Sequence, residues 1–228
     1  WRPLLARGLE DGDVTLTNAP EPLGAFFEEI DAVPKWLDRA QLEHASRVAE
    51  RVALGQNYVL FSISLLGGYV SAGVTKTLVA AGELEKMAPR PIGETSQFVE
   101  DVYRSRGIAR TSDGFKSAIR VRLMHAFVRH KLLRDGWDTE GWGLPISQAD
   151  MAGTVLSFSV TYLLGLRALG FVIRKDERAA VIHLWRYVGR LLGVHESLLA
   201  TNEKESLRLL WLVARSQEGP DDDGRALA

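Results

Sequence analysis

The stretch that decides the fold spans residues 148–170 and reads QADMAGTVLSFSVTYLLGLRALG. Its residues are apolar on nearly every side of a helix, which is typical of a helix at the centre of a fold. Ser147 stands just before it and Asp150 follows three residues later, a carboxylate form of the capping box that starts helices. Residues 148–170 are therefore predicted to form a buried central helix.

Helical patterns flank this segment on both sides. They predict helices over residues 23–30, 38–54, 58–82, 95–106, 113–133, 175–192 and 197–217. Alternating strand patterns are almost absent, and residues 14–17 are the best weak candidate. We therefore expect an all-α, single-domain helical bundle over residues 34–217, preceded by an arm and short helix (1–33) and followed by a frayed tail (218–228).

The composition is that of a globular protein without a charge bias. Of the 228 residues, 46% are hydrophobic and 25% are charged, and the net charge is −1. An overall basic field that would attract nucleic acid or an anionic membrane is therefore absent. Cysteine is also absent, which excludes disulfides, thiolate catalysis and cysteine-ligated metal centres.

The sequence shows neither a secretory signal nor a clear membrane span. The longest uncharged segment, residues 56–75, is only moderately apolar and favours a buried helix pair. We expect a soluble protein, cytoplasmic unless an N-terminal signal has been removed. The sequence leaves the oligomeric state open.

His125 is the main candidate for a functional residue. Arg122 lies three residues before it and Arg129 four after it, so the three side chains share one helix face. Two nearby guanidinium groups disfavour a third positive charge, and a neutral imidazole has a lone pair for a metal. His130 is about 140° around the helix, so the pattern favours a single-histidine ligand, as in haem proteins. The alternative is a core histidine that is hydrogen-bonded to a backbone carbonyl.

Other familiar motifs of catalysis are missing. The sequence contains no Walker-type phosphate loop, no His-Glu-x-x-His pair and no Gly-x-Ser-x-Gly nucleophile elbow. Hydrolase and nucleotide-triphosphatase functions therefore lack support.

A cluster of small residues, Gly67, Gly68, Ser71 and Gly73, allows close approach of either another helix or a flat cofactor.

Several motifs follow one another along the chain in an order that carries a family resemblance. They are Glu94-Thr95, Arg122-x-x-His125-Ala126-x-Val128-Arg129-His130, Pro145-Ile146-Ser147-Gln148-x-Asp150-Met151-x-x-Thr154, Phe158-Ser159, and His183-Leu184-Trp185-Arg186-Tyr187-Val188-Gly189 with Leu191-Leu192-Gly193-Val194. Together they resemble the latex clearing protein (rubber oxygenase) and MpaB-type oxygenase family over roughly residues 56–199. The resemblance implies a globin-like helical bundle in which residues 34–217 hold haem b. In rubber oxygenases, haem iron and dioxygen cleave the double bonds of polyisoprene to carbonyl products.

The resemblance also assigns roles to individual residues. His125 matches the proximal iron ligand of the family. Arg122 or Arg129 would pair with a haem propionate or tune the imidazole, with a salt-bridged helix edge as the alternative. Thr95 matches a threonine on the other side of the haem, where its hydroxyl would bond to oxygen or water at the iron. The alternative for Thr95 is a helix N-cap.

The chain departs from the rubber oxygenases near that threonine. Glu94 stands where those enzymes can carry a lysine, and Pro91 stands where they carry an arginine, with Arg90 one position earlier. The family's proposed catalytic glutamate has no match. We therefore expect dioxygen and an apolar, isoprenoid-like alkene as reactants, with Glu94 or Thr95 managing protons in a pocket lined by residues 58–74 and 155–169.

Two other functions stay open on the sequence alone. One is a haem protein of this fold that transfers electrons or senses a gas. The other is a metal-free helical protein that binds a lipid or a protein partner through an apolar groove.

Overall fold

The computed structural model describes residues 2–11, 20–60, 75–77, 79–80 and 91–216, and these residues contain helices and no strand. The all-α prediction is confirmed. The helices are α1 (Arg2–Asp11), α2 (Glu21–Asp31), α3 (Arg39–Arg51), α4 (Ala53–Val59), α5 (Pro91–Tyr103), α6 (Asp113–Arg134), α7 (Thr139–Trp142), α8 (Gln148–Ala168), α9 (Lys175–Leu191) and α10 (Glu203–Ser216).

Helix α8 is the central helix that its sequence predicts. The Ser147 hydroxyl accepts the N–H of Asp150 at 3.2 Å, and the Asp150 carboxylate accepts the N–H of Ser147 at 2.8 Å, so the capping box is complete. Within the described residues, α8 alone is long and apolar enough to cross a membrane, but 61% of its most apolar window is buried in the fold. This burial is typical of a core helix in a bundle.

A cluster of aromatic side chains forms the centre of the core between α5, α8 and α9. Trp185 of α9 stacks on Phe158 at a centroid distance of 5.0 Å and donates its indole N–H to the Tyr103 hydroxyl at 2.8 Å. Phe158 lies in a π-helical segment of α8, Ser157–Thr161. Segments of this kind are frequent at functional sites because the extra residue redirects side chains.

Helices α3 and α9 run antiparallel. At one end, Arg51 forms an ion pair with Glu177 at 2.9 Å. At the other end, Arg190 of α9 donates to the carbonyl oxygen of Ala32, just before α3. The Arg51–Glu177 contact and the Arg190–Ala32 contact therefore lie at opposite ends of this helix pair.

The structure differs from the sequence predictions at several helix boundaries. Residues 2–11 form α1 where an arm was predicted, and α5 begins at Pro91 rather than Thr95 because proline suits the first turn of a helix. Asp113 is the first residue of α6 rather than its cap, which is Ser112. Residues 197–217 divide into a 3₁₀ turn (Glu196–Leu198) and α10.

Some predictions concern residues outside the described ranges. They are the strand candidate at 14–17, most of the predicted helix 58–82, the small-residue cluster of Gly67, Gly68, Ser71 and Gly73, Arg90, and the tail 218–228.

Candidate functional site

His125 lies in the middle of α6 with no polar partner. Within the described part of the chain, the buried Nδ1 atom has no hydrogen bond, and no hydrogen bond or ion pair involves the other ring nitrogen. The core-histidine alternative requires a backbone acceptor, and the residues that the structure describes supply none. A buried polar atom without a partner calls for an explanation, and a missing ligand is one.

The imidazole of His125 is neutral at physiological pH. Burial, and secondarily the positive charge of Arg129, lower the pKa of His125 to about 4. The prediction of a neutral ring is confirmed, although burial is the main cause rather than the two arginines. A neutral ring in an apolar setting keeps its lone pair available to a metal.

Arg129 binds the loop before α8. Its guanidinium donates to the carbonyl oxygen of Pro145 at 3.1 Å and also to that of Ile146. Ile146 has a φ of 51°, which is rare for a β-branched residue. Arg129 therefore stabilises a strained turn and ties the helix of His125 to the start of the central helix.

Arg122 binds α2 instead. Its Nη2 atom lies 2.9 and 3.0 Å from the two carboxylate oxygens of Glu29, and its guanidinium lies over the Phe26 ring at 5.3 Å. Glu29 compensates the charge of Arg122. Contact of either arginine with a propionate stays a prediction.

Glu94 and Thr95 lie in the first half of α5, which packs against α6. Thr95 is half-buried and lies inside the helix, so the N-cap alternative is wrong. The side chain of Glu94 is outside the described part of the structure. The packing thus brings the helix of Thr95 against the helix of His125, and the distance between Glu94 and His125 stays open.

Sequence reasoning missed two of the buried tyrosines, Tyr103 and Tyr162. The Tyr162 hydroxyl donates to the side-chain oxygen of Gln56 at 3.2 Å, and burial raises the pKa of both Tyr103 and Tyr162. The predicted substrate-pocket segment 155–169 contributes largely to this packed core, as the burial of Phe158 and Tyr162 shows. The sequence signal for Tyr162 was the aromatic content of α8, but aromatic residues are found both in cores and in pocket walls.

No group of three or more histidine, aspartate or glutamate side chains within the described residues could hold a metal ion. This part of the chain therefore offers no site at which three or more such side chains could bind a metal ion together. A lone histidine matches haem, because the porphyrin supplies the other four ligands.

Comparisons with known proteins agree with the motifs. Residues 51–228 match the family described as "ER-bound oxygenase mpaB/B'/Rubber oxygenase, catalytic domain". A rubber oxygenase from Streptomyces sp. (strain K30) is 24% identical over 243 residues, covering 95% of this chain and 59% of that protein. The structure of latex clearing protein in the closed state shares the fold with a TM-score of 0.81 at 20% identity, over 99% of this chain and 61% of that one.

The chain thus spans about three fifths of the length of these relatives. The structural likeness establishes the fold, and the family match covers most of the sequence. The chain therefore belongs to the MpaB and rubber oxygenase catalytic-domain family.

Proposed function

We propose that this chain is the haem-binding catalytic domain of an oxygenase that uses dioxygen to oxidise or cleave carbon–carbon double bonds of an isoprenoid or other apolar substrate. The observation that carries the proposal is the half-buried, neutral imidazole of His125, which has no partner among the described residues, in a member of an oxygenase family. The name of the rubber oxygenase relative supports a hydrocarbon substrate.

His125 would be the residue that holds the haem iron. Haem needs one strong donor from the protein, and a neutral imidazole can bind iron without first releasing a proton. When bound, haem b supplies the redox chemistry on dioxygen. The low pKa of His125 keeps the ring in its ligating form across the physiological range.

The two arginines beside His125 orient the ligand helix. Arg122 attaches α6 to Glu29 of α2, and Arg129 attaches it to the Pro145 and Ile146 carbonyls. A site whose supporting residues are themselves held by other contacts is preorganised for its ligand. Arg122 and Arg129 would therefore keep the imidazole in place and exclude water from its side of the site.

Glu94 and Thr95 are the proposed proton-handling groups. They lie on α5, which packs against the helix of His125. A carboxylate can accept or return a proton, and a threonine hydroxyl can donate a hydrogen bond to a polar reactant. Apolar substrate would bind by burial of its own hydrocarbon surface.

The visible absorption spectrum of the purified 228-residue chain tests the cofactor. We expect a Soret band, either as purified or after addition of haem. His125→Ala should abolish or greatly weaken haem retention. His183→Ala should retain haem, since His183 is occupied by the N–H of Asp38. A spectrum without a Soret band after supplementation, or retention that depends on His183 and not on His125, would refute the assignment.

Oxygen uptake with an unsaturated isoprenoid tests the activity. We expect oxygen consumption together with aldehyde or ketone products. Glu94→Gln should keep the Soret band and change the rate, because the amide cannot carry the proton. Haem binding without turnover of any alkene would instead indicate electron transfer or gas sensing.

A further inference from the structure

The loop between α8 and α9 displays an apolar side chain to solvent. Val172 is 79% exposed and Leu169 is 45% exposed. The residues on either side of Val172 are held in the fold. The ring of Phe171 occupies the space where a side chain on Gly55 would be, 2.4 Å from an added Cβ, and Ile173 is buried. Val172 is therefore directed outward by two anchored neighbours.

Hydrogen bonds fix the same loop. Helix α8 ends with Gly170 at a φ of 89°, and the N–H of Phe171 donates to the Leu166 carbonyl at 3.0 Å, the bond that defines a Schellman end. Arg51 donates to the Val172 carbonyl at 3.4 Å, and Arg178 donates to the Ile173 carbonyl at 2.8 Å. The valine is thus presented by an ordered loop.

A basic groove of about 450 Å³ adjoins Val172. The residues that line it are His44, Arg47, Val48, Arg51, Val172, Arg174 and Glu177. Three arginines face one acid, and that acid is already paired with Arg51 at 2.9 Å and with Arg174 at 3.3 Å. Arg47 is exposed and has no hydrogen bond or ion pair within the described part of the chain.

Asp176 and Glu177, the two acids in contact with the arginines of the groove, are already paired, and neither is paired with Arg47. Asp176 pairs with Arg174 at 3.4 Å and lies 3.7 Å from His44. The charge of Asp176 is therefore already compensated by Arg174. The guanidinium of Arg47 remains available to an external anion. Val172 is an exposed apolar side chain, and Arg47 beside it is a charged group without a partner in the described part of the chain. Apolar side chains and basic groups are the two features by which proteins bind anionic phospholipid bilayers.

We propose that Leu169, Val172, Arg47, Arg51 and Arg174, here called the docking surface, attach the protein to a bilayer that contains anionic phospholipids. The two apolar side chains would enter the boundary between headgroups and acyl chains, and Arg47 would bind a lipid phosphate, whose geometry matches the guanidinium fork. Arg51 and Arg174, which are paired with acids, would lie beside that phosphate and add to the positive field. The near-zero net charge of the sequence is compatible with this, because only the fold brings arginines from α3 and from the loop before α9 together. The proposal does not depend on haem.

Cosedimentation of the full chain with lipid vesicles tests the docking surface. We expect binding to vesicles of equal parts phosphatidylcholine and phosphatidylglycerol, weaker binding to phosphatidylcholine alone, and release by salt. Arg47→Ala should weaken partitioning about fivefold, the effect of one basic residue near an anionic surface. Val172→Asp should weaken it further, since it removes the apolar contact and adds a repelled charge.

Matched control variants separate this surface from general effects. Val33→Asp alters a valine that is 58% exposed in the loop before α3, next to Ala32 and so at the opposite end of the α3–α9 pair. Arg7→Ala removes an exposed arginine of α1 that has no partner within the described residues. Both controls should bind vesicles like the unaltered chain, and circular dichroism should show all four variants folded.

Four results would overturn the proposal. The first is no binding to the mixed vesicles, and the second is binding that Val172→Asp and Arg47→Ala leave unchanged. The third is self-association that Val172→Asp abolishes in the absence of vesicle binding, which would make the surface an interface between two copies of the chain. Release by inorganic phosphate beyond that by chloride of equal ionic strength would likewise assign the arginines to a free anion. A chain that docks but binds no haem would refute only the proposed function.

Discussion

Individual histidines in this chain have different properties because their surroundings differ. His125 is half-buried and has no partner within the described residues, His183 accepts the backbone N–H of Asp38 at 2.9 Å, and His195 accepts the N–H of Ser197 as a cap of a 3₁₀ turn. Two of them thus satisfy backbone groups, which is a structural task. Of these three histidines, only His125 has no hydrogen bond to its ring within the described residues. This difference distinguishes the candidate ligand from His183 and His195.

The stability of the protein should depend on the protonation of His183. Burial lowers the pKa of His183, and its neutral ring accepts the hydrogen bond of Asp38. The unfolded chain takes up the proton first, near the usual histidine pKa of about 6.5. The stability that His183 contributes is therefore present above that pH and lost as the pH falls toward the folded-state pKa.

Urea unfolding of the haem-free chain at about pH 7.5 and about pH 5.5, on either side of the usual histidine pKa, measures this effect. We expect the free energy of unfolding to drop more between these pH values in the unaltered chain than in His183→Gln, whose amide can accept the same bond without titrating. Equal drops in the two proteins would show that His183 does not contribute.

Among the elements, the junction of α5 and α6 decides where His125 stands relative to Thr95. Gly114 in the first turn of α6 lies against the backbone at the end of α5. An added Cβ there would be 2.4 Å from the carbonyl oxygen of Gly107 and 2.7 Å from that of Asp101. Backbone cannot move aside as a flexible side chain can, so only glycine permits this approach.

Gly114→Ala should therefore destabilise the protein by about 1–3 kcal/mol, the cost of overpacking. The matched control is Gly24→Ala in α2, where an added Cβ meets nothing within 4 Å. That change should stabilise the helix by up to about 1 kcal/mol, because alanine has the higher helix propensity. Thermal or urea unfolding of both variants checks the pair, and equal effects would contradict the close approach.

For the molecule as a whole, the first two helices are part of the core rather than an arm. Leu9, Phe27 and Ile30 are buried, and Arg122 joins α6 to Glu29. The predicted boundary at residue 33 therefore does not separate an independent segment from the bundle. These side chains of α1 and α2 are distant from α6 in the sequence. They become buried because the chain folds back so that α1 and α2 pack on the rest of the bundle.

Phe27→Ala should cost about 3–5 kcal/mol of unfolding free energy, as is usual for a large buried aromatic residue. Phe127 is the matched control, since it is 67% exposed whereas Phe27 is 4% exposed. Phe127→Ala should change stability by no more than about 0.5 kcal/mol. If both variants unfold at the same urea concentration, α2 is not part of the cooperative unit.

Local patterns in the sequence predicted the helices well. The period of apolar residues and the caps are local features, so α8 with its Ser147–Asp150 box and α9 were found nearly to the residue. The helix predicted to begin at Thr95 begins four residues earlier at Pro91, since proline is favoured in the first helical turn.

By itself, the sequence determined the helical class, the family motifs and the choice of His125, because each depends on residues within a few turns of one another. The tertiary structure alone decided that Arg122 binds Glu29, that Arg129 holds a strained turn, and that His125 meets no partner in the described part of the fold. These features depend on which distant segments of the chain come into contact. That arrangement is stabilised by the burial of apolar surface over the whole core, which no short segment determines.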